Sequence, residues 1–400
     1  MKFLLVTFTF LLACSTIQAQ KLPIVSPLEV GMDSGHLSRV DDLVEQAIQD
    51  EDTPGAVLIV VRDGKIAYRK AYGNKQIYPE EKVMEANTVF DMASITKPVA
   101  TATSLMILLD RGLITLNDPI SRFIPGFMAW GDEEMHQDAR IVHLLTHSAG
   151  LPSYAPVSML TRRFGNPSPD SLHNYFSTVS RNSEPGTHFS YSCPSFITLQ
   201  RIIEAVTGQS LDTFTQNNIF LPLGMYNTTF KPGENMVASI APTQVTEDGI
   251  LIGDVHDPLA NRIMNGISGN AGLFSSADDM AIFATMMLNE GVYNGKRILS
   301  PAAVKKMIGM PEKFKEFGRG LGWDLNSSFS SNQGDLFGKN TYGHTGYTGT
   351  SITLDPDTNT AVILLTNRVH PHDTGSVVRL RSLIANVVAA SIIDYNGAER

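Results

Sequence analysis

Cysteine is nearly absent from this chain: Cys14 and Cys193 are the two among 400 residues. A disulfide framework is therefore excluded as the source of stability, and the fold has to be held by its apolar core. Positive charge is also thin, with 31 Lys and Arg against 40 Asp and Glu and a formal net charge of −9. No basic cluster interrupts that balance, which argues against nucleic acid as a partner, because phosphate binding needs concentrated positive surface. No apolar run reaches the roughly 20 residues of a membrane span. Phosphate loops of the P-loop or dinucleotide type, internal repeats and low-complexity linkers are missing too. What remains, at 42% hydrophobic and 18% charged, is the composition of an ordinary globular protein.

Residues 1–20 read as an export signal rather than as structure. Lys2 supplies a positive start, Phe3 to Leu12 an apolar core, and small residues follow. Two processing routes stay open. Cleavage near Ala19, before Gln20, releases a periplasmic or secreted protein. Leu11-Leu12-Ala13-Cys14 resembles a lipoprotein box, and lipidation of Cys14 would anchor the protein to a membrane. Either route places the mature chain outside the cytoplasm beside the cell wall, with residues 21–400 as a single domain.

From Ser34 to Asp50 the apolar residues Leu37, Val40, Leu43, Val44 and Ala47 recur at helical spacing. Pro54-Gly55 ends that helix. Two β-rich runs follow, Ala56 to Val61 and Lys65 to Tyr72, joined by Asp63-Gly64, a strong hairpin signal. Helical segments are expected at Val99 to Leu113, Ile141 to His147, Phe196 to Thr207, Leu211 to Gln216 and Ala277 to Asn289. Strands return at Gly320 to Leu325, Thr341 to Leu354 and Ala361 to Asn367, before a closing helix over Val377 to Ile393. A lone hairpin cannot bury its inner face, and the only partners lie at the far end of the chain. The simplest architecture is an α+β fold: one antiparallel sheet built from both chain ends, flanked by helices, with an inserted mostly helical lobe. The α/β lobe is expected over about 21–95 and 315–400 and the helical lobe over about 96–314. A cleft between such lobes is a usual place for an active site.

The sharpest chemical signal is Met92-Ala93-Ser94-Ile95-Thr96-Lys97-Pro98, leading into an apolar helix. A serine here also suits a helix N-cap, and Pro98 fits near a helix start under either reading. The Ser–Lys spacing puts both side chains on one face of the first turn. There an amine can take the hydroxyl proton, and the helix N-terminus favours negative charge. A lysine that does so must be partly neutral, which calls for burial or a cationic neighbour.

Phe90 to Pro98 strongly resembles the nucleophile motif of the β-lactamase-related serine hydrolases, the group of class C β-lactamases, DD-carboxypeptidases and certain esterases. The resemblance continues through Pro54-Gly55, Leu113 to Pro119, Leu144 to Pro152 and Gly269-Asn270-Ala271-Gly272-Leu273-Phe274-Ser275. It implies the β-lactamase/transpeptidase-like fold, Ser94 as nucleophile, and Lys97 with Tyr191 as the groups that remove its proton. Tyr191-Ser192-Cys193 stands where the family has Tyr-x-Asn, so Tyr191 is implied as a phenolate base held by Lys97. His344-Thr345-Gly346 stands where the family has Lys-Thr-Gly or His-Thr-Gly on the strand lining the cleft. His344 and Thr345 are thereby implied to bind a carboxylate or other polar group, with Gly346 beside them. The backbone amides of Ser94 and Tyr347 are implied as the oxyanion hole.

Cys193 departs from the family pattern. Asn would offer an amide to a peptide or β-lactam, and a thiol is a weak donor and acceptor. Acyl-enzyme chemistry is unaffected, but penicillin or D-Ala-D-Ala recognition is weakened. His143 and His147 have the spacing of a helical metal pair but lack the intervening Glu of zinc proteases; a structural role is expected, with no metal and no organic cofactor. His256-Asp257 is read as a loop satisfying its own hydrogen bonds, and Trp323 as core packing. The expected substrate is a small molecule or a peptidoglycan-derived peptide. The expected activity is DD-carboxypeptidase-like or esterase; β-lactamase, or a penicillin or wall-fragment binder with slow turnover, is the alternative.

Overall fold

Gly55-Ala-Val-Leu-Ile-Val-Val-Arg62 offers an apolar side chain at nearly every position, the pattern of a strand covered on both faces. In the computed structural model, which describes residues 21–131 and 136–394, it is β1, and all of it is buried. The export signal and Cys14 lie outside the described residues. Asp63 and Gly64 take φ of +52° and +70°, as a tight turn matched to strand twist requires. They lead into β2 (Lys65–Gln76) and the short β3 (Lys82–Val83).

The other edge of β1 is closed from the far end of the chain. β8 (Thr360–Thr366) pairs with β1 in antiparallel register, Ile59 opposite Ile363. β7 (Ser351–Asp355) and β6 (Tyr342–Thr345) complete a six-stranded sheet in the order β6-β7-β8-β1-β2-β3. Between the two halves, β4 (Val89–Asp91) pairs with β5 (Phe274–Ser276) just before the Ser94 segment.

Successive side chains of a strand point to opposite faces, and β1 divides accordingly. Ala56, Leu58 and Val60 join α1 (Val40–Gln49) and α5 (Val378–Ala390) in one core. Val57, Ile59 and Val61 join the larger core with α2 (Thr103–Asp110) and α4 (Ala277–Leu288). α3 (Cys193–Thr207) carries the helical region behind the cleft. No helix among the described residues is long and apolar enough to cross a membrane.

One expected strand is absent. Gly320 to Leu325 forms a turn in which Arg319 bridges Asp324 and Asp324 bridges Gly343. Gly322 takes φ of +89°, and a Cβ there would meet that of Ala102 at 2.7 Å. The glycines let this turn close over the helix that follows Ser94.

Candidate active site

Asp91 ends β4, and its carboxylate decides the next turn. Oδ1 accepts the Ala93 amide at 2.8 Å and Oδ2 the His256 amide at 2.8 Å. Ala93 takes φ of +45°, a conformation that residues with a Cβ rarely adopt. The turn lifts Ser94 out of the core, so that it is partly exposed while Ala93 and Ile95 are buried. Burial pushes the Asp91 carboxyl above the ordinary carboxylate range, against the two amides that lower it.

The chain then continues as a π-helical stretch over Lys97–Ala102 before α2. Lys97 is wholly buried. Its Nζ donates to Ser94 Oγ at 2.9 Å and to the Asn270 carbonyl at 2.9 Å, and lies 3.7 Å from Cys193 Sγ. The Tyr191 ring covers it, with Nζ 4.9 Å from the centroid. The burial that a partly neutral lysine calls for is present. Burial works against the ammonium, but negative charge at Cys193 and Tyr191 outweighs it and raises the Lys97 pKa above the ordinary value. Positive charge on Lys97 favours an anion at Ser94 or Tyr191.

Tyr191 is sandwiched rather than loose on a loop. His147 stacks on it at 4.5 Å between centroids, Phe329 lies at 5.1 Å and His344 at 6.3 Å. His147 Nδ1 accepts the Ser192 amide at 3.0 Å, which orders the entrance to α3. Ser192 caps that helix by accepting the Ser195 amide at 3.2 Å. Cys193 is buried at its first turn; burial raises its thiol pKa and the neighbouring Lys97 works to lower it.

His344 on β6 is buried as well. Its Nδ1 faces the Thr345 carbonyl at 2.9 Å. A carbonyl only accepts, so Nδ1 carries the proton and Nε2 presents a lone pair. Burial, then the charges of Arg319 and Lys97, hold the imidazole well below its ordinary pKa. For the implied part of His344 in binding a carboxylate or other polar group, a neutral ring offers a hydrogen-bonding nitrogen and no positive charge. Thr345 is half-buried at the strand end. Gly346 is packed so tightly that a Cβ would meet the Met92 carbonyl at 2.6 Å and Ala93 Cβ at 3.3 Å. The turn beyond it is fastened to the nucleophile segment by Thr348 Oγ1 on the Asp91 carbonyl at 2.8 Å and Thr350 Oγ1 on the Met92 carbonyl at 3.2 Å. Among the described residues, no acceptor takes the Tyr347 amide.

His256 and Asp257 satisfy loop bonds and also border the cleft. The His256 ring stacks on Tyr347 at 5.7 Å, while Asp257 accepts the Ala260 amide at 2.9 Å and the Tyr154 hydroxyl at 3.1 Å. His143 and His147 serve separate purposes. His143 Nδ1 accepts the Arg140 amide at 3.1 Å, and its ring meets Phe314 edge-on. Among the described residues, no group of His, Cys, Asp and Glu could hold a metal.

Four contributors were not singled out from sequence. Asp91 and Asn270 lie inside quoted motifs, but their parts are a clamp and a backbone carbonyl, neither visible in a residue type. Phe329 sits in a Ser-rich loop with no pattern. Arg319 is wholly buried, pairs with Asp324, and stands with its guanidinium carbon 5.8 Å from the Tyr191 centroid. An isolated Arg between two glycines just before Leu321-Gly322-Trp323 was its only signal.

The sequence model of the Beta-lactamase family matches residues 40–386. A Salmonella enteritidis PT4 protein provisionally named D-alanyl-D-alanine carboxypeptidase is 34% identical over 404 residues, covering 92% of each chain. Among solved structures, EstCE1, described as a hydrolase with promiscuous acyltransferase activity, superposes with a TM-score of 0.72 at 24% identity. It covers 89% of this chain and 99% of its own. The octameric penicillin-binding protein homologue of Pyrococcus abyssi gives 0.66 at 22% identity, over 87% and 76%. The chain belongs to the beta-lactamase family and has its β-lactamase/transpeptidase-like fold.

Proposed function

We propose that this protein is an exported serine hydrolase that works through a covalent acyl-enzyme on Ser94. The observation that carries the reading is the Lys97 ammonium, buried between Ser94 Oγ and the Asn270 carbonyl beneath the Tyr191 ring. Ser94 attacks a carbonyl carbon and its proton passes to Tyr191 as phenolate. Lys97, which keeps its own proton, stabilises the anionic partners. The carbonyl oxygen becomes an oxyanion facing the amides of Ser94 and Tyr347. When the tetrahedral species collapses, Tyr191 returns the proton to the leaving amine or alcohol. Water then releases the acyl group by the same path in reverse.

The substrate reading best supported by the relatives is a peptidoglycan-derived peptide ending in a D-amino acid, cleaved as by a carboxypeptidase. The leader-like residues 1–20 support a site of action beside the wall. Ester hydrolysis is a second reading, favoured by Cys193, whose thiol replaces an amide-holding Asn. Intact-mass measurement tests both. Wild-type protein incubated with a fluorescent penicillin or a p-nitrophenyl ester is expected to gain one acyl mass that is absent in Ser94→Ala. Turnover surviving in Ser94→Ala would overturn the proposal. Release of D-alanine from a pentapeptide separates the carboxypeptidase from the esterase.

A further inference from the structure

Arg381 on α5 is a cation with an unusual set of partners. Its Nη2 donates to the Gly346 carbonyl at 3.0 Å and to the Thr350 carbonyl at 2.9 Å. Its Nε is enclosed and takes no acceptor among the described residues. No carboxylate there forms an ion pair with it, and burial, followed by the nearby Arg368, lowers its pKa to about 9. Arg381 is half-buried, and even partial desolvation of a guanidinium without an anion costs free energy that an apolar side chain would avoid. The described hydrogen bonds of this group converge instead on one turn, Gly346 to Thr350.

The consequence follows from peptide geometry. In a trans peptide the carbonyl and the N–H of one plane point in opposite directions, and the Gly346–Tyr347 bond is trans. By drawing the Gly346 oxygen towards α5, Arg381 turns the Tyr347 N–H away from that helix. The same oxygen also accepts the Gly349 amide at 3.1 Å, so the plane is fixed from two directions. Arg368 Nε holds the next carbonyl, that of Tyr347, at 2.9 Å. Both planes flanking Tyr347 are thus gripped by arginines from behind. A charged donor on a peptide oxygen also polarises the group and strengthens its N–H as a donor.

The geometry points to Arg381 as the positioning residue that orients and polarises the Tyr347 amide for an anionic tetrahedral species on Ser94. It touches no substrate and acts through one peptide group. The inference rests on the acyl-enzyme reading above, and the test separates the two. The probes are p-nitrophenyl butyrate, an alkyl trifluoromethyl ketone and the matched methyl ketone. The fluorinated ketone adds to Ser94: an Oγ–C bond forms, the ketone π bond opens to an alkoxide, and the serine proton goes to Tyr191. The methyl ketone reports ground-state binding only.

Arg381→Lys keeps a charge near the turn but loses the fork; Arg381→Met loses both. For Arg381→Met, kcat/KM and affinity for the trifluoromethyl ketone are expected to fall together by about 100-fold, the scale of losing an oxyanion donor. Arg381→Lys should recover part of both, and methyl ketone binding should stay within about threefold of wild type in each. If Arg381→Met does not fold, Arg381→Lys carries the test alone, with parallel losses of about tenfold expected. Parallel loss of methyl ketone affinity, or unchanged turnover in a folded variant while Ser94→Ala is dead, overturns the inference alone. Wild-type turnover in Ser94→Ala overturns the acyl-enzyme reading and the inference with it.

Discussion

The Asp91 carboxylate holds the Ala93 amide at 2.8 Å, and with it the strained turn that presents Ser94. The second oxygen holds His256, whose ring lies on Tyr347, so one side chain ties both walls of the cleft together. Asp91→Asn keeps one acceptor and turns an NH2 group towards the other amide. Urea unfolding should show a loss of about 1–3 kcal/mol, the cost of an unsatisfied buried donor. Ester turnover should fall by about tenfold or more, because the nucleophile shifts. Unchanged kcat/KM in Asp91→Asn would show that the turn holds itself.

In the proposed mechanism Lys97 acts by charge, from a position shaped for a point donor. Lys97→Met is expected to lower kcat/KM by about 10² to 10⁴. Lys97→Arg should not restore it, because a planar fork does not fit where one nitrogen bridges Ser94 Oγ and the Asn270 carbonyl. Steady-state kinetics on a p-nitrophenyl ester decides; full activity in the arginine variant would refute the point-donor argument.

Cys193 lies 3.7 Å from Lys97 Nζ and is the proposed determinant of amide against ester preference. Replacing it with Asn adds an amide at the first turn of α3 beside Lys97. The ratio of kcat/KM for a matched amide and ester should move towards the amide by about fivefold, the worth of one hydrogen bond near 1 kcal/mol. Cys193→Ser should leave the ratio nearly where it was.

Buried imidazoles should weaken the fold in mild acid, with the raised carboxyl of Asp279, at about 6, acting in the opposite direction. Burial lowers the pKa of His143 to about 4 and that of His173 to about 4, and it also lowers His147 and His344. These imidazoles are neutral when folded and protonate when unfolded, near pH 6.5. At these four groups the unfolded state therefore binds more protons between about pH 4 and 6.5, and their contribution to stability falls as pH drops through that window. Each group contributes at most about 1.4 kcal/mol per pH unit. Chemical unfolding at pH 7.0, 6.0 and 5.0 measures the slope, and His143→Gln should make it shallower.

Legibility in the sequence followed the range of the physics involved. The hairpin around Asp63-Gly64 was readable because its turn chemistry is local, and the sheet from both ends because a hairpin needs partners. The helices Val157–Phe164, Pro169–Thr178 and Pro301–Ile308 were hidden. Their prolines read as loop punctuation, although Pro169 and Pro301 occupy first helical positions, where proline is well tolerated. Gly320 to Leu325 looked like a strand by composition, but its glycines are used for a turn. At the site, Ser94 and Lys97 could be found because a short spacing carries their chemistry. Lys97's charge state, His344's tautomer and Arg381's grip on Gly346 depend on which groups surround them, and spacing holds no record of that.

The pairing of β1 with β8 also orders events in time. Ile59 and Ile363 are opposite neighbours in the sheet but lie near opposite ends of the chain. Contacts this distant in sequence are slow to form, since a long loop must close before they contribute. A growing chain that has already made Ser94, Lys97 and Tyr191 still lacks the edge strand, the turn with Tyr347 and the helix with Arg381. Assembly of the proposed site thus waits on the last segment made, and a truncated product carries Ser94 without the groups that surround it in the folded chain.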